Sequence, residues 1–216
     1  MKILITAGPT HEPIDPVRFI GNHSSGKMGI AIADEFAAAG NEIILIKGPT
    51  HLQPNDQSIK QVYIQTAAEM FTACSQYFDW ADVIVFAAAV ADYTPKFLSP
   101  TKIKKNTNEF SIELIKTKDI AAELGMQKRA DQIIVGFALE TDNEESNARD
   151  KLWRKNFDFI VLNSMQDEGA GFQKDTNKIT IIDRTGNVAK FDLKSKKEVA
   201  KDIVHYVSKI SDEKSR

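Results

Sequence analysis

The feature of this sequence that most constrains its fold is an alternation of short apolar runs with longer segments of helical periodicity. The runs are rich in Ile and Val and lack an apolar–polar alternation, as expected for parallel strands covered on both faces. They are Ile3–Ala7, Glu42–Ile46, Val62–Gln65, Asp82–Ala87, Gln132–Ala138 and Phe157–Leu162. The helical segments are Lys27–Ala39, Ala67–Phe78, Asp119–Arg129, Asn143–Lys155 and Lys196–Ser208. This order predicts βαβ units.

The C-terminal part of the chain departs from this order. Lys178–Asp183 and Val188–Leu193 flank a four-residue turn segment, a pattern typical of a β-hairpin. With 216 residues, of which 42% are hydrophobic, the chain suits one core of moderate size. We therefore predict a single α/β domain over residues 1–216. Its fold is a Rossmann-like, doubly wound, mostly parallel sheet with helices on both faces and an antiparallel C-terminal hairpin.

The charge balance and the single cysteine exclude several classes of protein. There are 28 basic and 30 acidic residues, so the basic excess typical of nucleic-acid binders is missing. The N-terminal apolar run is too short for a secretory signal, and no stretch reaches the ~20 apolar residues of a membrane span. We expect a cytoplasmic protein. Cys74 lies in an apolar helical pattern that predicts a core position, and the four histidines show no metal-ligand spacing.

Two long polar segments, Pro9 to Ser25 and Tyr93 to Asn108, each follow the end of a predicted strand, where open α/β sheets bind ligands. The first ends in a glycine- and serine-rich stretch that opens the first helix. Ser24 and Ser25 are good N-cap residues, and a free helix N-terminus binds anions. Gly26 and Gly29 would allow close backbone approach and tight helix packing. The stretch predicts a phosphate site, although a capped and tightly packed helix start would use the same residues.

Other polar residues could act at this edge of the sheet. Arg18 could clamp an oxyanion with its guanidinium or form a surface ion pair, and the Asn22 amide could donate to an oxyanion or stabilise a turn. The remaining candidates each follow a strand or lie on a neighbouring helix, and each has an ordinary structural alternative as a core, turn or surface residue. They are Phe86, Ala87, Ala88, Asp92, Lys102, Phe137, Lys151 and Lys155.

Taken in order, several segments closely resemble the phosphopantothenoylcysteine synthetase family over nearly the whole chain. They are ITAGPTHEPIDPVRFIGNHSSGKMG, AAAVADYTP, KIKK, GFALET, RKNFDFIVLN and FQKDTNKITII. The resemblance implies a ligase of coenzyme A synthesis that joins 4'-phosphopantothenate to cysteine. The carboxylate would attack the α-phosphate of CTP and release pyrophosphate. The cysteine amine would then displace CMP from the acyl-cytidylate to form the amide.

The resemblance also implies roles for particular residues. Asn22 would bind and activate the carbonyl of the acyl intermediate, with Arg18 in the same loop, and Lys102 would be the main catalytic lysine on a flap. Nucleotide contacts would come from the strand ends, the first helix and two further helices. These residues are Gly8, Ser24, Ser25, Gly26, Phe86, Ala87, Ala88, Asp92, Lys102, Lys118, Asp119, Ile120, Ala121, Phe137, Lys151 and Lys155. The family's usual NPDI reads Thr117-Lys118-Asp119-Ile120 here, which leaves a side-chain role for Lys118 open.

The resemblance further implies Mg²⁺ held mainly by the nucleotide phosphates, and a homodimer in which the hairpin and nearby loops are candidate contacts. Because the chain starts at the ligase segment, it looks like the monofunctional form, and we expect no decarboxylase and no FMN. Two alternatives remain. An NAD(P)-dependent dehydrogenase would share the sheet but needs a GxGxxG that is missing after the first strand. A non-catalytic nucleotide-binding subunit would bind the nucleotide without turnover.

Overall fold

The computed structural model describes residues 1–104, 109–140, 142–164 and 174–214. Five helices and a set of long and short strands make up the described part. The helices are α1 (Lys27–Ala38), α2 (Ala67–Phe78), α3 (Ile120–Gly125), α4 (Glu144–Arg154) and α5 (Lys196–Lys214). The strands are β1 (Lys2–Ala7), β2 (His11–Pro13), β3 (Phe19–Gly21), β4 (Glu42–Lys47), β5 (Lys60–Tyr63), β6 (Val83–Phe86), β7 (Tyr93–Pro95), β8 (Leu114–Lys116), β9 (Ile133–Glu140), β10 (Phe159–Ser164), β11 (Thr176–Asn177), β12 (Ile179–Asp183), β13 (Val188–Lys190) and β14 (Lys194–Ser195).

Eight strands form the central sheet, in the order β13-β12-β10-β9-β6-β1-β4-β5. The six strands from β10 to β5 run parallel, and β12 and β13 add an antiparallel hairpin beside β10. This arrangement confirms the predicted fold class. The chain crosses from β1 to β4 on one side and later returns to β6 on the other. The order therefore reverses between β1 and β6, where ligands bind in open α/β sheets.

Both faces of the sheet are covered by helices, which is why the strands read as continuous apolar runs. On one face, α1 and α5 pack against Ile3, Ile5 and their neighbours in a single buried cluster. On the other face, α2, α3 and α4 pack against Leu4, Ile46 and Ile160. Each fully buried side chain of this kind contributes ~1.5–3 kcal/mol to folding. The layers hold the carboxyl ends of the parallel strands at one fixed edge.

Two helices depart from their predicted bounds for identifiable reasons. The predicted helix Asp119–Arg129 ends at Gly125, where a Cβ atom would lie 2.1 Å from the Lys155 carbonyl oxygen and the Asn156 amide binds the Gly125 carbonyl at 2.7 Å. The predicted helix Lys196–Ser208 continues to Lys214, whose ammonium binds the Gln132 carbonyl oxygen at 2.7 Å. Both differences come from contacts distant in sequence. The strands differ from their predicted bounds by up to three residues at either end.

Both long segments predicted as polar loops contribute to short antiparallel pairs: the first contains both strands of one pair, and the second contains one strand of another pair, whose partner β8 follows the segment. β2 pairs with β3, and β7 pairs with β8. A third small pair joins β11 to β14.

No described helix is both long enough and apolar enough to cross a membrane.

A buried charge cluster closes the edge of the sheet opposite to the strands' carboxyl ends. Asp158 accepts from Lys128 at 2.6 Å, from Lys214 at 2.9 Å and from the Ile134 amide at 2.6 Å. Asp158→Ala would leave two ammonium groups without their carboxylate. We expect a loss of about 3–5 kcal/mol in the free energy of unfolding, measured by urea denaturation.

The control for this prediction is Asp79→Ala. Asp79 forms an exposed ion pair with Arg129 at 3.9 Å, so its loss should change stability by less than ~1 kcal/mol. Equal effects of the two substitutions would show that the buried cluster contributes no more to the free energy of unfolding than an exposed ion pair. Neither residue lines the cavity described below, so both variants should retain ligand binding wherever they fold.

Cys74 lies in α2 and is fully buried, which confirms the predicted core position. Burial raises the pKa of its thiol to about 12. Because the thiolate is the reactive form, native protein should not react with a thiol-specific reagent at neutral pH. A cysteine at the exposed neighbouring position, Ser75→Cys, should react quickly under the same conditions. Rapid labelling of wild-type Cys74 without denaturant would contradict this expectation.

Candidate active site

The start of α1 lies directly against the end of β1 because glycines replace side chains at the contact. A Cβ atom on Gly26 would lie 3.3 Å from the Gly8 Cα atom, and one on Gly29 would lie 2.6 Å from the Ala7 Cβ atom. Gly26 also has a φ angle of 78°, a conformation that other residues adopt only with strain. These positions bring the first turn of α1 onto the strand ends.

The N-cap of α1 is Gly26, and no side chain caps the helix. The expectation that Ser24 or Ser25 would be the cap is therefore wrong. Ser24 accepts a hydrogen bond from the Gly26 amide at 3.3 Å, and the Thr50 hydroxyl donates to the Ser25 carbonyl at 2.8 Å. The left-handed conformation at Gly26 turns the chain before the helix starts. An uncapped first turn has N–H groups and a dipole that favour an anion.

The small residues after β6 form the neighbouring wall of the site. Ala89 is bridged to Pro9, its amide donates to the Gly8 carbonyl at 2.9 Å, and the Ala88 amide donates to the Thr6 hydroxyl at 3.2 Å. The Asn22 side-chain amide donates to the Ala89 carbonyl at 3.0 Å. This hydrogen bond fixes Asn22 against the wall. Because a side-chain amide nitrogen carries two hydrogens, Asn22 retains a second N–H that can donate.

A cavity of about 800 Å³ lies between these elements, at the carboxyl edge of the sheet. It collects most of the residues predicted to bind the nucleotide or to act in catalysis. Those that line it are Asn22, Ser24, Ser25, Gly26, Phe86, Ala87, Ala88, Asp92, Lys118, Asp119, Ile120, Ala121, Phe137, Lys151 and Lys155. Within the described part of the chain, seven basic and two acidic residues line it. The cavity therefore favours a polyanionic ligand.

Several cations of the cavity are held by carboxylates. Lys155 binds Asp119 at 2.9 Å, Lys151 binds Glu140, and Lys27 binds Asp175 at 2.6 Å. Partial burial of Asp119 is the largest single influence and opposes its ionisation, but the hydrogen bond and charge of Lys155, the Ala122 amide and the charge of Arg154 together lower the pKa of the carboxyl below its usual value. The Lys118 ammonium lies 4.3 Å from the centre of the Phe71 ring. These contacts hold the lysines around the cavity, where phosphate oxygens can compete for them.

Lys196, Asn163 and Asn177 are among the cavity-lining residues that were not predicted. Lys196 is buried and donates to the Lys174 carbonyl at 2.6 Å, and burial lowers the pKa of its ammonium. Asn163 and Asn177 each have a buried side-chain oxygen without a hydrogen-bond donor in the described part of the chain. Two unpaired acceptors beside a cavity indicate a ligand that donates hydrogen bonds, such as a base amine or a sugar hydroxyl.

The strand-end rule could have found Asn163, because it follows the apolar run of β10. Asn177 and Lys196 could not be found this way, since the pairing of β11 with β14 brings them to the cavity. Conversely, three predicted residues do not line the cavity. Gly8 lies behind Gly26, Lys102 is exposed, and the Arg18 guanidinium binds Asp15 and the Ile103 carbonyl.

An open, mostly parallel sheet with an uncapped helix and a cationic cavity at its reversal point is typical of α/β proteins that bind phosphorylated ligands. Comparison with known proteins gives the particular family. The family described as the DNA/pantothenate metabolism flavoprotein C-terminal domain matches residues 1–210, and this chain belongs to it.

The relatives agree with this assignment. The chain is 54% identical, over 95% of its length, to 57% of a cysteine/cysteine sulfinic acid decarboxylase from an unknown prokaryotic organism. It is 43% identical, over 97% of its length, to 51% of the coenzyme A biosynthesis bifunctional protein CoaBC of Bacillus subtilis (strain 168). The chain thus spans about half the length of these curated relatives.

A solved structure matches over nearly its whole length. The crystal structure of the C-terminal domain of a coenzyme A biosynthesis bifunctional protein CoaBC shares 40% of its residues with this chain, with a TM-score of 0.83. The match covers 98% of this chain and 96% of that one, so the fold described above is that of the matched domain.

Proposed function

We propose that this chain is a phosphopantothenate–cysteine ligase that uses CTP. In the proposed reaction, the carboxylate of 4'-phosphopantothenate attacks the α-phosphate and releases pyrophosphate. The cysteine amine then forms the amide and releases CMP, giving phosphopantothenoylcysteine for coenzyme A synthesis. The observation that carries this proposal is the cationic cavity at the uncapped start of α1. Membership of a family that includes the CoaBC C-terminal domain supports it.

The positions of residues around the cavity suggest which part of the nucleotide each would bind. The uncapped turn at Gly26 and the lysines Lys151 and Lys155 would bind the triphosphate. The strand ends at Phe86–Ala88 and Phe137 would contact the base and ribose, with Asp92 as an acceptor for hydroxyl or amino groups. Both proposed chemical steps use a substrate group as the nucleophile: the carboxylate of 4'-phosphopantothenate in the first and the cysteine amine in the second. The protein's part is then to position them and to stabilise charge on the transferring groups.

Magnesium is part of the proposal. Among the described residues, no cluster of three or more His, Cys, Asp or Glu side chains could hold a metal ion. Asp92 and Asp119 are the only carboxylates among the described residues that line the cavity. This fits an ion bound mainly through the nucleotide phosphates, as is common for Mg²⁺, and the ion would neutralise phosphate charge. The expected absence of FMN stays a prediction that the visible absorption spectrum of purified protein checks.

We further propose a homodimer, with contacts at the small antiparallel pairs. Exposed apolar side chains are concentrated there, on β3, β7 and β8 and in the loops beside them, and such concentrations often mark interfaces. They are Val17, Phe19, Tyr93, Phe97, Leu98, Phe110, Leu114 and Ile115. The C-terminal hairpin, which we considered as a contact, extends the central sheet beside β10. Light scattering on wild-type protein and on Phe97→Asp tests this, since the variant should shift towards monomer.

Cytoplasmic location also remains a proposal.

The test of the proposed function is pyrophosphate release by purified protein with Mg²⁺, 4'-phosphopantothenate and cysteine, comparing CTP with ATP. Release that needs both phosphopantothenate and CTP would support the proposal, and release with ATP alone would overturn the choice of nucleotide. Tight nucleotide binding without release would favour a non-catalytic subunit. Because one relative is named a decarboxylase, carbon dioxide release from cysteine should be measured in parallel, and its occurrence without ligation would contradict the proposal.

A further inference from the structure

Three buried polar side chains in the loop after β1 each hold a different segment of the chain. Thr10 accepts from the Ala91 amide at 3.0 Å, beside the wall of the cavity. Glu12 accepts from the Ala67 amide at 2.8 Å, at the start of α2. Asp15 accepts from the Ile103 amide at 3.1 Å. The loop therefore fixes three other segments of the chain, and the third contact, at Ile103, is next to Lys102 in the sequence.

The contact at Ile103 holds both polar groups of one residue. Asp15 is 2% exposed, and its carboxylate binds the Ile103 N–H. The same carboxylate binds the Arg18 guanidinium, which donates to the Ile103 carbonyl at 2.9 Å. The carboxylate also accepts from the Arg18 amide at 3.0 Å, which fixes the turn that carries the arginine. Asp15 and Arg18 together form a clamp on the backbone at Ile103.

We propose that Asp15, acting with Arg18, is a positioning residue that sets the place of Lys102 through the clamped backbone of Ile103. This inference rests on the proposed ligase function, in which Lys102 acts on the nucleotide. Neighbouring Cα atoms are ~3.8 Å apart, so fixing Ile103 leaves Lys102 little backbone freedom. The exposed ammonium of Lys102 can then search only the region that its side chain reaches.

The charge state of Asp15 suits this task. The hydrogen bond from Arg18 is the largest influence and holds the pKa of the Asp15 carboxyl well below its usual value. The carboxylate therefore stays an acceptor for both the Ile103 amide and the guanidinium at neutral pH. An ionised carboxylate has two oxygens and about four lone-pair sites, so it can accept from a backbone amide and an arginine at the same time.

The experiment compares full-length wild-type protein with Asp15→Asn by hydrogen exchange and by kinetics with CTP. We expect exchange of the Ile103 amide to rise at least ~10-fold in the variant, because its acceptor is weakened. We expect kcat for pyrophosphate release to fall ~10- to 100-fold, as for a misplaced catalytic group, with the Kd for CTP within about twofold of wild type. The double variant with Lys102→Gln should be no slower than Lys102→Gln alone.

Two further variants separate positioning from folding. Ile103→Pro removes the N–H that Asp15 binds and keeps the ion pair with Arg18, so it should reproduce the loss in kcat even if Asp15→Asn folds poorly. Glu12→Gln replaces a buried carboxylate of the same loop and weakens its hydrogen bond to the Ala67 amide at the start of α2. This variant should lower thermal stability and leave Ile103 exchange unchanged.

Three outcomes would overturn the inference: unchanged Ile103 exchange in Asp15→Asn, faster exchange with an unchanged kcat, or a full additional loss in the double variant. The first shows that the clamp does not hold the segment, and the others show that it does not act through Lys102. An inactive wild-type protein would instead overturn the proposed function. The exchange measurement needs no turnover, so it still reports on the clamp itself.

Discussion

Replacing Lys102 by glutamine is expected to lower the rate of pyrophosphate release at least ~10²-fold, the scale for losing one group that stabilises developing charge. The lysine follows Thr101, whose carbonyl accepts from the Ser99 hydroxyl, and directly precedes the clamped residue Ile103. Its ammonium is exposed in the described structure and does not line the cavity. Catalysis by Lys102 would then require its long side chain to reach the bound nucleotide from the backbone position that Asp15 and Arg18 set, so the loss should appear in kcat more than in the Kd for CTP.

Lys104 provides the control for this prediction. It is also exposed, lies two residues further along the same segment, and is absent from the cavity lining. Lys104→Gln removes the same charge from the loop, so a general loss of positive charge would affect both variants alike. A specific role of Lys102 requires a much larger effect than at Lys104. A near-normal rate for Lys102→Gln would remove Lys102 from the mechanism. Lys105, the last lysine of the motif, lies outside the described residues.

The central sheet could be predicted because its strands are buried on both faces. Such strands need apolar residues at every position, so β9 and β10 stand out in the sequence even without alternation. The short pairs β2–β3 and β7–β8 could not be predicted, because their stability comes from neighbouring segments. Glu12 in β2, for example, is buried, and the amide at the start of α2 gives its carboxylate a partner.

The candidate site shows the same division between local and distant causes. Strand ends gather at one edge by geometry, so residues such as Phe86 and Phe137 could be placed together from the sequence alone. Lys196 reaches the cavity from the start of α5, which does not follow a parallel strand in the chain. Its place depends on the β11–β14 pairing and on the Lys174 carbonyl. No local pattern reports such contacts.

The start of α1 shows how local preference can mislead. Serine is a common N-cap, but a serine cap would satisfy the helix N–H groups that a phosphate would otherwise bind. With Gly26 at the N-cap and a φ angle of 78°, the chain turns tightly and leaves the first turn without a side-chain cap. The departure from the usual preference therefore falls where the proposed ligand binds, as is common at functional sites.

Asn22→Asp is expected to slow amide formation ~10²-fold while leaving acyl-cytidylate formation much less affected. The Asn22 amide is fixed by its hydrogen bond to the Ala89 carbonyl at 3.0 Å and retains a second N–H, and Asn22 lines the cavity. Attack by the cysteine amine moves negative charge onto the acyl oxygen, so a donor there stabilises the transition state. A carboxylate at this position cannot donate, and its charge would repel both that oxygen and the Ala89 carbonyl.

The two half-reactions can be separated by rapid quench of a single turnover. In Asn22→Asp, pyrophosphate should appear before cysteine is added, and the acyl-cytidylate should accumulate after it. His23→Ala is the matched control, because His23 is the next residue, is exposed and does not line the cavity. It should form the amide at nearly the wild-type rate. If Asn22→Asp also formed the amide normally, the second N–H would have no part in the reaction. Equal losses in both steps would assign Asn22 to nucleotide binding instead of to the acyl intermediate.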